Sequence, residues 1–150
     1  MARTVEYEFN PEDELGISLP KGNKSEALSQ IGDYILESVL KYVGDEKSPV
    51  GGHGNFPRLN KEYSKHKVSE GGSPVPNLEL TGKMLSAMKV IKTSDSIILR
   101  ISGKQGDKAD GHNNHSGDSK LPLRRFIPDD GETFKTDILG GVRRIIESFE

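Results

Sequence analysis

The sequence predicts an α+β fold: a small antiparallel sheet with two longer amphipathic helices packed on one face, long loops and an N-terminal strand arm. Two segments, 25–43 and 131–149, place their apolar residues on single helical stripes. Two others, 4–9 and 88–102, alternate apolar and polar residues with a period of two. Neither kind of element can bury its apolar side alone, so the helices and strands need each other.

In chain order, Val5, Tyr7 and Phe9 form one face of the first strand, opposite Thr4, Glu6 and Glu8. The next stretch, Asn10-Pro-Glu-Asp-Glu-Leu-Gly16, is acidic and reads as a break in regular structure. Residues 1–24 are therefore expected to form an arm, a strand plus an acidic linker, ahead of a single domain over 25–150.

The first long helix has punctuation at both ends. Asn23 and Glu26 make a capping-box pattern, and Gly44 stands where a left-handed residue closes a helix. Leu28, Ile31, Ile35, Val39 and Tyr42 form its stripe, and Ala27, Tyr34, Leu36, Leu40 and Val43 widen it. Burying five such side chains contributes about 10 kcal/mol before conformational entropy is set against it.

Residues 45–77 read as mostly irregular, with a short basic helix over Leu59–Val68 and a second short helix over Leu80–Met88. Strands Met88–Thr93 and Ser96–Ser102 follow, joined at Ser94-Asp95. Residues 103–120 carry one alanine as their only apolar side chain, a composition that cannot bury itself. Leu121–Pro128 returns to the core as an extended segment. In the final helix Phe134, Ile138, Val142, Ile145 and Phe149 align, and Gly140-Gly141 lies mid-helix. Two glycines there cost about 2 kcal/mol against alanine, which predicts a close backbone approach to another helix.

Composition narrows the chemistry. The 150 residues include 17 glycines, 8 prolines and no cysteine, with a net charge of −2. Disulfides, thiolate metal sites and cysteine nucleophiles are thereby excluded, and no overall positive field favours nucleic acid or an anionic membrane. Leu, Ile, Val and Phe supply about a quarter of the chain, above the roughly 20% expected of a disordered one. No apolar run reaches the roughly 20 residues of a membrane span, and the first residues lack a secretory pattern. A soluble protein made and kept in a cytoplasm is expected.

No catalytic, cofactor-binding or metal-ligating residue is assigned. His112 and His115, flanked by Asp110 and Asp118, have ligand chemistry but sit in a Gly-rich loop without rigid support. His53 and His66 are isolated and expected at the surface. No Gly-x-Ser-x-Gly elbow occurs, and Thr81-Gly82-Lys83 is followed by Met84 where a phosphate loop needs Ser or Thr. Gly51-Gly-His-Gly54 reads as a turn that needs backbone freedom. Glu12, Asp13 and Glu14 read as a solvated arm.

Four segments carry a resemblance. They are Ser48-Pro-Val-Gly-Gly with Phe56-Pro-Arg-Leu59, Tyr63 and Lys67; Asn77-Leu-Glu-Leu-Thr-Gly-Lys-Met-Leu85; the Gly- and His-rich loop; and Pro122-Leu-Arg-Arg-Phe-Ile-Pro128. Their order and spacing, over residues 25–149, resemble the virion-morphogenesis proteins of tailed bacteriophages, the tail-completion or neck proteins. Leu80, Thr81, Gly82 and Met84 match that family's turn motif, and Pro122, Arg124 and Phe126 its last motif. Arg125 departs, standing where proline is usual. The resemblance implies a non-enzymatic structural protein without cofactors: a subunit of a hexameric homo-oligomeric ring at the virion neck. Its implied partners are portal or adaptor and tail-terminator or tail-tube proteins, with DNA passing through without sequence-specific contact. Head-completion stopper, neck adaptor and tail terminator are all compatible with it.

In such a ring the N-terminal strand has a choice of sheet. Head-to-tail contacts favour its addition to a neighbour's exposed edge through Val5, Tyr7 and Phe9. Glu12, Asp13 and Glu14 would then approach a basic patch, either Lys61/Lys65/Lys67 or Arg124/Arg125. Two readings compete with the ring. One is a metal-dependent hydrolase or nuclease using Asp110, His112 and His115; the other is a small nucleic-acid-binding module using either the 58–67 basic segment or Lys120, Arg124 and Arg125.

Overall fold

A computed structural model describes residues 5–45, 47–54, 87–102, 125–129 and 131–149. In chain order they form β1 (Val5–Phe9), α1 (Pro11–Leu15), α2 (Lys24–Gly44), β2 (Lys89–Lys92), β3 (Ile97–Ile101) and α3 (Thr136–Glu147). The sheet is antiparallel, with order β1-β3-β2. The fold is α+β, as the periodicities predict.

The register divides the sheet into two faces. Val5 lies across from Ile101, Tyr7 from Leu99 and Phe9 from Ile97, and Val90 meets Leu99 from the other side. This face carries the core: Phe9, Ile97, Leu99 and Ile101 are fully buried, together with Leu28, Ile31, Ile35 and Val39 of α2 and Ile138, Val142 and Ile146 of α3. The opposite face carries Glu6, Arg100 and Lys89 in one row and Glu8, Ile98 and Ile91 in the next.

Glycine sets the distance between layers. Gly32 lets α2 settle onto the sheet, since a Cβ there would lie 2.8 Å from Cγ1 of Val90. Gly141 does the same between helices, where a Cβ would lie 1.9 Å from the Tyr34 hydroxyl. The mid-helix glycine pair therefore marks a close approach of α3 to α2, as its cost predicts.

Several expectations are corrected. β1 pairs with β3 of its own sheet rather than a neighbour's, and Val5 and Phe9 are buried in their own core. Leu19 joins the same core, so residues 5–19 are built into the fold rather than held away from it. The acidic stretch is not a break but α1: the Asn10 side chain accepts from the Asp13 N–H at 3.1 Å, and Gly16 closes the turn at φ 67°. Proline at the first helical position suits it, because the missing N–H has no intrahelical partner to lose.

At α2 the capping pattern is not used. Asn23 makes no side-chain cap bond, and the helix runs through Gly44 to end where the Asp45 N–H meets the carbonyls of Lys41 and Tyr42 at 3.0 and 3.1 Å. At the C-terminal end, α3 begins at Thr136, five residues later than the stripe predicts. Residues 133–135 instead pair with 49–51: Gly51 N–H bonds Thr133 O at 2.8 Å and Lys135 N–H bonds Pro49 O at 2.9 Å. That pairing holds Phe134 under the rings of Tyr7 and Phe9, with centroids 5.6 and 5.9 Å away. The expected helices over 59–68 and 80–88 lie mostly or wholly outside the described residues, as does the 103–120 loop.

Candidate functional site

Two of the four motif segments, 77 residues apart in sequence, meet in space: the Ser48 hydroxyl donates to the Arg125 carbonyl. The same Ser48 oxygen accepts the Val50 N–H at 3.1 Å, so one buried hydroxyl shapes its own turn and fastens a distant strand of chain. Phe126, Ile127 and Pro128 anchor that strand in the core.

Glu132 completes the junction. His53 Nε2 donates to its Oε2 at 2.6 Å, the Asp129 N–H donates to its Oε1 at 2.9 Å, and Arg125 Nε stands 3.2 Å from the same oxygen. Burial pushes the Glu132 carboxyl upward, but the bonds from His53 and the Asp129 amide, with the Arg125 charge, outweigh it and hold the group below its ordinary value. The N-terminal region joins through Glu14, which accepts from the Tyr7 hydroxyl at 2.6 Å and from Thr133 Oγ1 at 2.8 Å. Burial first, and then the bond to Glu14, raise the Tyr7 phenol above its ordinary range.

The junction thus joins β1, α1, the 48–53 turn and the 125–135 segment. Glu132 and Glu14 each accept from two separate parts of the chain. That arrangement holds chain segments in place.

A separate cleft of about 470 Å³ lies between α2 and the start of α3, lined by Tyr34, Ser38, Lys41, Tyr42, Asp45 and Asp137. Tyr42 donates to Asp137 Oδ2 at 2.5 Å, and the Lys135 ammonium lies 5.2 Å from its ring centroid. Burial and that hydrogen bond push the Tyr42 phenol up to about 12.

The sequence-predicted positions distribute unevenly. Val5 and Phe9 are core residues, and Tyr7 and Glu14 belong to the junction. Glu12 stands 3.7 Å from Lys24, and Asp13 is exposed. Arg125 and Phe126 lie at the junction, Phe126 fully buried. Lys61, Lys65, Lys67, Leu80, Thr81, Gly82, Met84, Pro122 and Arg124 fall outside the described residues, as do Asp110, His112 and His115. Among the described residues no group of three or more His, Asp or Glu could hold a metal ion, and no helix is long and apolar enough to cross a membrane. Sequence reasoning missed the His53–Glu132 pair: the two are 79 positions apart and neither belongs to a periodic pattern.

No known family, no curated protein and no solved structure matches the chain.

Proposed function

We propose that this protein is a structural virion protein of a tailed bacteriophage, a neck or tail-completion ring subunit that joins the portal-head complex to the tail. The observation that carries the reading is the meeting of Ser48 and Arg125. Two of the four segments in which the resemblance resides, those at Ser48 and Arg125, are tied to each other, and the first also pairs with the residues that lead into the final amphipathic helix. A junction of matched ion pairs and shared hydrogen bonds suits a part that must hold shape under load. The ring's partners are portal or adaptor proteins on one side and tail-terminator or tail-tube proteins on the other, with DNA passing through the lumen.

Native mass spectrometry of the purified chain, combined with negative-stain imaging, tests the assembly. A closed ring with a mass that is a whole multiple of 16.5 kDa is expected, six-fold in the simplest case. A chain that stays monomeric alone and with portal and tail components would overturn the reading.

A further inference from the structure

The sheet has two outer strands, and they differ in charge. On the face turned away from α2, β1 presents Glu6 and Glu8, while β2 presents Lys89 and Ile91. The central strand places Arg100 between Glu6 and Lys89 in a single cross-strand row. Arg100 Nε is bonded to Glu6 Oε2 at 2.7 Å, so its charge is answered on the β1 side. On the β2 side it faces Lys89, a like-charge pair directly across the ladder, which is unfavourable in itself. Lys89 is exposed and has no ion pair or hydrogen bond from its ammonium among the described residues; Glu8 is exposed and equally unpaired. The row lacks one carboxylate beyond Lys89, and the opposite edge of the same sheet carries one in excess.

We infer that the β2 edge of one subunit docks the β1 edge of a second copy, continuing the sheet from subunit to subunit, with Lys89 paired to Glu8 of that copy. The inference rests on the ring reading above. β1 and β2 both run antiparallel to β3 and hence parallel to each other. Rotation from one subunit to the next keeps strand direction and keeps the outer face outward, so the new joint is a parallel pair. Parallel ladders carry slanted hydrogen bonds and are slightly weaker per residue than antiparallel ones, which gives the side-chain charges a larger part in choosing the register. The contact is heterologous, one edge meeting a different edge, which is the type of contact that closes rings. Among the described residues β1 and β2 each pair on one side only, and this contact covers both of those open edges. Lys92 is not available for this role, since its ammonium is held by Ser25 Oγ and Ser29 Oγ of α2 at 2.8 and 2.9 Å. The pair that sets register is therefore Lys89 with Glu8.

Charge exchange and crosslinking of the full chain test the joint. E8K and K89E should each raise the concentration needed for assembly by about tenfold or more, with circular dichroism unchanged, and the double variant E8K/K89E should recover assembly. The chain has no cysteine, so Glu8→Cys with Lys89→Cys in one chain, treated with a short bifunctional thiol reagent, should give a ladder of covalent oligomers. Either single cysteine variant should stop at dimer. Rings that form without the ladder and without rescue by the double exchange would overturn the edge joint and leave the ring reading standing. A chain that is monomeric at every concentration would overturn both.

Discussion

The Tyr34 hydroxyl on α2 lies where a Cβ at Gly141 on α3 would come to 1.9 Å. The Tyr34 ring thus occupies the space a side chain at Gly141 would need, and any larger residue there must displace it. Neighbouring Gly140 has only the end of Arg144 at 3.7 Å in front of it. Alanine should therefore act in opposite directions at the two positions. Gly140→Ala should stabilise by about 0.5–1 kcal/mol through helix propensity. Gly141→Ala should destabilise by about 1–3 kcal/mol because the tyrosine ring must move. Urea unfolding of both variants gives the comparison directly; equal effects would contradict the packing account.

The N-terminal strand makes a second prediction. Since Val5 and Phe9 are buried and β1 pairs with β3 along its length, removing residues 1–14 should unfold the chain or leave it molten. Phe9→Ala alone should cost about 3–5 kcal/mol. A truncated chain with native circular dichroism and a cooperative melt would return the strand to the role of a detachable arm.

Glu132 predicts an acid dependence. Its folded value is lowered, so the stability it adds is complete above its unfolded value near 4.5 and is lost as pH falls through the folded one. Glu132→Gln should lower stability at pH 7 by about 1–2 kcal/mol and flatten the fall of the melting temperature below pH 5. His53→Ala should reproduce part of both effects. A Glu132→Gln variant with the same acid limb as the parent would contradict the junction's electrostatics.

At the alkaline end the sign reverses. The Tyr42 phenol is raised from 10.0 to about 12, so the stability tied to its protonated form holds below pH 10 and is lost as pH rises toward 12. Absorbance titration should show Tyr42 ionising late, and Asp137→Asn should bring it earlier by removing the carboxylate charge that opposes a phenolate.

Much of this fold is legible in the residues themselves. Alternation of Val5, Tyr7 and Phe9 and the stripes of α2 and α3 are local patterns, and local patterns place elements. Gly141 announced its close approach because a mid-helix glycine is costly unless a neighbour fills the space a side chain would take, whereas Gly140 beside it serves no such contact. What escaped depends on partners distant in sequence. The stripe through Phe134 reads as helix, yet pairing with Val50 turns those residues into extended chain. Asn10 reads as a break until its side chain is seen capping α1. His53 and Glu132 carry no signal at all until folding brings them to 2.6 Å.

If the proposed function holds, the gene belongs to a tailed phage, and the most direct measurement is the form of the particles that phage makes after the gene is disrupted. Heads and tails that fail to join are predicted, with joined particles restored when the purified protein is added. Normally joined, infectious particles from the disrupted genome would contradict the assignment of this chain to the head–tail junction.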